Sequence, residues 1–406
     1  MTAITDALLR RPAPLYERLL RDGPLQWSEP SRCWLVVGYD VARAVLRDER
    51  FSMPRPPAGS RWSRNGFFAS LLLAAEGPEH DRLRRLLGPV FAPRVVRART
   101  ARVEAATHAL LDEAAAAAGS DGAGFDGRSG VAGSDVAGFG TVFDGVAAIS
   151  ARLPVSVVGD LVGVPEPARD EVSALCRTIS MGGGLAAGLP SADAAEAAAG
   201  ALDRLGELVD RWLAEPEHLV ADSALAVAAA QPGALTRTEV LANVFSLYLA
   251  GHDTSRNLLS ALLLRLATTP GLLDGLADGT VDPAAETDHA LLSESPLTFT
   301  VREALEDVPL SGQVVRRGDR LRIMLGAANH DVLTAGRSPG QLAGVTFGEG
   351  RHVCLGAHVA RLEGAVLLGV AARRWSAVRL ADRPQWTPHF VHRGLDRLPL
   401  DVTWRA

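Results

Sequence analysis

Apolar positions in the middle of this chain recur at helical spacing, while toward both ends they alternate or bunch into short runs. Thr236-Arg-Thr-Glu239 has the form of a capping box ahead of a long apolar-periodic run, which predicts a helix reaching about Thr268. Shorter helical patterns cover Tyr39 to Arg47, Pro78 to Leu87 and Arg94 to Ala118. Thr141 to Val162 reads as largely helical and stops at Gly163-Val-Pro165. Helix resumes over Ala168 to Thr178, breaks at Met181-Gly-Gly-Gly184, and returns from Ala192 to Leu213. Strand-like pieces are Leu25-Gln-Trp27, Cys33 to Gly38, Arg320 to Leu325 and parts of Pro388 to Trp404. The expected fold is mainly α with a minor β region. Two stretches fall outside the pattern. Ser52 to Ser70 is a long Pro/Gly/Ser/Arg-rich loop, a length that in a compact enzyme is often functional. Residues 119–140 form a Gly-rich low-complexity linker, in which Gly119-Ser-Asp-Gly-Ala-Gly-Phe125 returns as Gly133-Ser-Asp-Val-Ala-Gly-Phe139.

Composition narrows the function classes. The chain has 406 residues, 47% of them hydrophobic, and a net charge of −5, which gives nucleic-acid binding no support. Its three cysteines, Cys33, Cys176 and Cys354, lie far apart and suit a reducing cytoplasm better than a disulfide framework. The start, Met1-Thr-Ala-Ile-Thr-Asp6, lacks a signal pattern, and no apolar run reaches the roughly 18 residues of a membrane span. The expectation is a cytoplasmic protein with no membrane segment.

The candidate chemistry centres on Cys354, in Phe347-Gly-Glu-Gly-Arg-His-Val-Cys-Leu-Gly356, just before a helical stretch from Ala357. Glycines let backbone approach a flat ligand closely, and a thiolate at a helix start gains from the unpaired N–H groups there. Such a sulfur can be an axial ligand of haem iron. A buried free thiol in a glycine turn explains Cys354 alone equally well. Zinc is disfavoured, because His352 and His358 beside Cys354 leave a four-ligand set incomplete. A second motif, Ala250-Gly-His-Asp-Thr-Ser255, falls inside the long helix. Gly251 with Thr254 could open a notch there, and Asp253 with Thr254 could relay protons. A simple kink with solvated polar groups fits the same spacing.

The Phe347–Gly356 segment resembles the haem-binding loop of the cytochrome P-450 family, Phe-Gly-x-Gly-x-His/Arg-x-Cys-x-Gly, at every defining position. The resemblance implies that Cys354 is the iron ligand and that Phe347 and Gly348 line the haem. Ala250 to Thr254 matches the family's oxygen-activation motif, with Ala250 and Gly251 against the cofactor and Asp253 and Thr254 catalytic. His80 and Arg84 match an early His-x-x-x-Arg, and Arg302 and His352 match later positions, all four implied to hold the haem propionates. The family's Glu-x-x-Arg motif is missing: aligned on Glu294-Ser-Pro296, its two positions hold His289 and Leu292. Ala327-Ala-Asn-His-Asp331 stands where the family has Ala-Asn-Arg-Asp. From that loss, easier release of haem is expected.

Further implications are a single haem domain over 1–406, haem b (iron protoporphyrin IX) as cofactor, and a monomer of the soluble bacterial type. The implied activity is monooxygenation of a small organic substrate, a specialised metabolite, by dioxygen with electrons from ferredoxin and ferredoxin reductase. The alternative is a P-450-like accessory protein with little turnover. Substrate contacts are expected from the Ser52–Leu73 loop, the Gly182–Ser191 region, and Leu247 and Ala250. Arg82, Arg85, Arg351 and Arg361 suggest a cationic face for an acidic ferredoxin.

Overall fold

The computed structural model describes residues 9–55, 66–120, 140–182, 192–335, 344–389 and 391–405. Most of the 119–140 linker, and parts of both loops assigned to substrate, lie outside them.

The helix opened by Thr236 spans Arg237–Thr268, 32 residues, or about 48 Å at the helical rise. Both halves of the capping box form. Thr236 Oγ1 accepts from the Glu239 N–H at 3.2 Å, and Glu239 Oε2 accepts from the Thr236 N–H at 2.7 Å. The helix crosses the molecule as a central beam. Its C-terminal half presents Leu258, Leu259, Leu262, Leu263 and Leu266 to a core shared with Val366, Leu367 and Val370 of the last helix, Ala357–Arg374. Each such buried leucine contributes about 2 kcal/mol. Its N-terminal half packs Leu241, Val244, Phe245 and Tyr248 into a second core with the helices Arg169–Gly182 and Ala192–Ala214. The expectation of a mainly helical fold with a small β part is met.

The main sheet has five strands in the order Leu25–Ser28, Cys33–Val36, Arg320–Ile323, Thr300–Ala304, Phe51–Ser52. Its one parallel pair joins Cys33–Val36 to Arg320–Ile323, with Trp34 opposite Leu321. This places Arg302, on an inner strand, opposite Leu321. A three-stranded sheet is built from Thr141–Asp144, Pro399–Trp404 and Trp375–Leu380.

Three expected elements differ. Thr141 to Val162 is not helical from its start: Thr141–Asp144 is a strand paired antiparallel with Pro399–Val402, and the Gly145 N–H continues the contact to Leu398 O at 2.8 Å. The helical pattern from Arg94 divides into Pro93–Arg97 and Thr100–Ser120. At the joint the Arg99 guanidinium reaches Asp222 O at 3.1 Å. The helix expected to end near Thr178 runs to Gly182.

Candidate functional site

The Cys354 loop is shaped by backbone approaches that exclude side chains. Gly348 and Gly350 have φ of +66° and +70°, the left-handed region that glycine enters without strain. A Cβ on Gly350 would also lie 2.7 Å from Leu46 O, where the helix Tyr39–Arg47 ends against the loop. The same helix holds the loop's outer side, since Arg43 and Arg47 both pair with Glu349. The Gly348 N–H donates to Val345 O at 2.9 Å, and the Cys354 N–H donates to Phe347 O at 2.8 Å, closing the turn around the thiol. Arg361 lies 4.7 Å over the Phe347 ring. The Cys354 side chain keeps exposed surface within this loop. Burial pushes the thiol's pKa up, partly offset by the Gly356 N–H and the charges of Arg84 and Arg361. A bound cation at the sulfur would favour the thiolate over this burial cost.

The four basic residues assigned from sequence converge beside this loop. His80, 1% exposed, stacks edge-on against His352 with ring centroids 4.7 Å apart. His80 Nε2 is buried with no hydrogen-bond partner among the described residues. Arg302 is 4% exposed, and its guanidinium donates to Val301 O at 2.8 Å and contacts Met53 Sδ at 3.3 Å. Burial lowers its pKa, opposed by the charge of Glu76. Arg84 donates to Val353 O at 2.9 Å, one residue from Cys354. Glu76, which the sequence reading passed over, joins the group. Its Oε2 lies 3.2 Å from His352 Nε2 and its Oε1 accepts the Met53 N–H at 3.1 Å. Burial works against the Glu76 charge, but these contacts and Arg302 outweigh it and hold the carboxyl below its usual range.

Glu76 and Asp81, whose Oδ1 lies 3.3 Å from His80 Nδ1, are the carboxylates of this group; neither forms an ion pair with the Arg302 guanidinium among the described residues, and a buried guanidinium without an anion costs several kcal/mol. The orphaned His80 nitrogen and the under-partnered Arg302 therefore fit a ligand with further carboxylates. Haem, with two propionates and an iron for the thiolate, has the chemistry these residues require.

On the central helix, Ala250 is exposed and Thr254 half-exposed although both lie mid-helix, one turn apart. Thr254 Oγ1 donates to Ala250 O at 2.6 Å, the back-bonding expected of a mid-helix threonine. The helix remains α throughout this stretch. The missing Cβ of Gly251 instead faces the helix Leu153–Val162, where it would meet Val158 Cγ2 at 2.6 Å. Close helix–helix approach accounts for this glycine. Asp253 Oδ1 lies 2.9 Å from His252 Nδ1, and His252 Nε2 lies 3.3 Å from Ala151 O. The shorter contact assigns the Nδ1–H as the donor to the Asp253 carboxylate. Burial raises the Asp253 pKa, but the His252 bond and the charges of His252, His392 and Arg256 outweigh it and hold it low. Neither His252 nor His392 was singled out from sequence. Glu363 was also missed. It is fully buried on the last helix and accepts from Ser255 Oγ at 2.5 Å, with burial raising its pKa to about 8.

The two positions of the absent Glu-x-x-Arg lie on the helix Pro283–Glu294, with His289 exposed and Leu292 buried in the main core. The suggested cationic face is largely neutralised. Arg82 pairs with Glu79 and Glu239, Arg351 with Glu49 and Asp81, and Arg361 with Asp288.

The site thus consists of a thiol in a glycine-shaped loop ahead of a helix, His80, Arg84, Arg302 and His352 beside it, and an Ala-Gly-x-Asp-Thr turn on the central helix. Comparison with known proteins assigns the family. The chain is 32% identical over 410 residues to the mycinamicin IV hydroxylase/epoxidase of Micromonospora griseorubida, covering 95% of each chain. It is 32% identical over 424 residues to the cytochrome P450 monooxygenase PikC of Streptomyces venezuelae, covering 97% of this chain and 91% of that one. The crystal structure of P450BioI in complex with hexadec-9Z-enoic acid ligated acyl carrier protein superposes with a TM-score of 0.82 at 25% identity, over 99% of this chain and 100% of that one. No family model matches the chain. The chain belongs to the cytochrome P450 family of monooxygenases, whose cofactor is haem.

Proposed function

We propose that this chain, as one haem domain over residues 1–406, uses haem b and dioxygen to oxidise a small specialised metabolite. Ferredoxin and ferredoxin reductase supply the electrons, and the enzyme works as a cytoplasmic monomer. No described helix is long and apolar enough to cross a membrane. The observation that carries the reading is the gathering of His80, Arg84, Arg302 and His352 beside the Cys354 loop, where the buried Arg302 guanidinium has no ion-pair partner and His80 Nε2 no hydrogen bond among the described residues. The names of the two 32% relatives support a specialised-metabolite substrate.

When bound, haem supplies oxygen activation and the oxidising equivalent. Cys354 would hold the iron, and His80, Arg84, Arg302 and His352 would hold the propionates. Thr254 gives its hydroxyl hydrogen to Ala250 O, so Oγ1 presents lone pairs to a proton donor in the cleft. Asp253, oriented by its hydrogen bond with the His252 ring, stands next to Thr254 as the group that could relay a proton along this face of the helix. Exposed Ala250 leaves room on the same helix face for a small ligand. The intact Cys354, Asp253 and Thr254 weigh against an accessory role without turnover.

The reduced protein under carbon monoxide should give the thiolate-type difference band, and Cys354→Ser should abolish it. Thr254→Ala should divert electrons from product to peroxide or water. A wild-type protein that takes up haem without a thiolate signature would overturn the proposal.

A further inference from the structure

The central helix carries near its start an asparagine that helix formation does not call for. Asn243 is 2% exposed, although asparagine is a weak helix former at an interior position. Its amide is taken up by a segment from far upstream. Oδ1 accepts the Leu72 N–H at 2.9 Å, and Nδ2 donates to Ser70 O at 2.8 Å and to Glu239 O at 2.8 Å. An N–H only donates and a carbonyl only accepts, so these partners fix the amide's orientation and use both Nδ2 hydrogens. Phe67 and Phe245 seat the same segment on the helix, with ring centroids 5.8 Å apart. Leu71 is buried in the core that also holds Val244 and Phe245.

The segment has a second tie at Glu76. Its carboxylate accepts the Met53 N–H and lies 3.2 Å from His352 Nε2, and the helix Gly77–Leu87 that follows carries His80 and Arg84. Between the ties, the Ala74 and Ala75 N–H groups close a turn on Leu71 O at 2.9 and 2.8 Å. Leu72 and Ala75 belong to a small core cluster, against which both Leu247 of the central helix and Leu355, next to Cys354, are packed. The segment therefore stands between the helix and the thiol loop. Asn243, Leu247, Ala250 and Thr254 follow one another at helical spacing, so they share one helix face. Along that face Asn243 lies about 10 Å from Ala250. Leu73, between the two ties, keeps 53% of its surface exposed.

We propose that Asn243 is a positioning residue for the substrate. It fixes Ser70–Leu72 on the central helix and so presets an apolar end wall for the face that carries Ala250 and Thr254. The proposal rests on the reading that this face meets haem and substrate. A ligand that reaches the wall finds it already ordered, and its affinity is not reduced by the cost of ordering it. The substrate class this favours is an apolar molecule, or one with an apolar arm, at least about 10 Å long.

The test uses the haem-loaded protein and two iron-binding probes, imidazole and 1-dodecylimidazole, whose alkyl chain can span from Ala250 to Asn243. Spectral titration gives the affinity of each, and hydrogen exchange reads residues 66–76. Asn243→Leu keeps the bulk and removes the three bonds. It should speed exchange in 66–76 and weaken 1-dodecylimidazole, each about tenfold, with imidazole affinity unchanged. Leu276→Ala opens the core beyond the other end of the central helix and should leave the ratio of the two affinities as in wild type. If exchange in 66–76 does not change in Asn243→Leu, Asn243 is no anchor. If exchange speeds while the affinity ratio holds, the segment is no wall. Either result overturns the proposal. If the wild type shows neither an imidazole shift nor the thiolate band, the haem reading fails, and the exchange comparison still judges the anchor. If Asn243→Leu does not fold, Asn243→Ala, which removes the same bonds without adding bulk, decides the matter.

Discussion

Glu363→Gln should change how stability depends on pH, by an amount the structure bounds. Glu363 is 0% exposed; Oε2 accepts from Ser255 Oγ, and Oε1 has no partner among the described residues. Burial lifts its pKa from the ordinary 4.5 to about 8, against a smaller opposing effect of the Ser255 hydroxyl. At neutral pH the folded protein therefore carries a neutral carboxyl here, while the unfolded chain carries a carboxylate. Between those two pKa values the folded state binds the extra proton, so stability falls as pH rises through the window. Below about 4.5 the penalty is absent, and above about 8 it is complete. At about 1.4 kcal/mol per pH unit, the window is worth up to roughly 5 kcal/mol. Gln has nearly the same shape and no proton to lose, so the variant lacks this slope. Urea unfolding of the haem-loaded wild type and Glu363→Gln, at intervals from pH 5 to 8, should give curves that diverge as pH rises, with the variant increasingly the more stable. Infrared difference spectra should show a protonated-carboxyl stretch near neutral pH that disappears in the variant. Parallel stability curves together with no such stretch would refute the reasoning, because Glu363 would then be ionised in the fold.

Other substitutions test the packing around the site. Gly251→Ala places a methyl 2.6 Å from Val158 Cγ2 and should cost about 1–3 kcal/mol by overpacking, with Val158→Ala restoring most of it in the double variant. An uncoupled Gly251→Ala enzyme with unchanged stability, not rescued by Val158→Ala, would instead assign the glycine to oxygen access. Asp160→Ala leaves Arg169, 8% exposed, without its carboxylate and should cost about 3–5 kcal/mol in urea unfolding while the carbon monoxide band stays in place. Thr236→Ala removes the hydroxyl that caps the central helix and should lower stability by about 1 kcal/mol, read as a fall in the urea midpoint.

Local signals in this chain were readable wherever the physics is local. The capping box marks the start of the central helix because its two hydrogen bonds join residues three apart. The glycines of the thiol loop are readable because two of them need left-handed backbone. The strand Thr141–Asp144 was not readable, since its ladder partner lies at the far end of the chain and its own pattern suits a helix equally well. The sequence analysis explained Gly251 by a notch, and the contact that demands it, with Val158, is absent from the local pattern. The pairing of the arginines in the suggested cationic face was only partly legible: Glu79 lies three residues from Arg82, but the carboxylates that pair with Arg351 and Arg361 come from remote segments.

The sequence by itself determined the helix-rich class, the thiol loop and the motif on the central helix, because each depends on side chains and turns within a few residues of one another. Only the tertiary structure decided that His80, Arg84, Arg302 and His352 gather around Glu76 and that Asp253 faces His252 and His392. Desolvation and hydrogen-bond partnership act between atoms brought together by packing, and packing joins residues hundreds of positions apart.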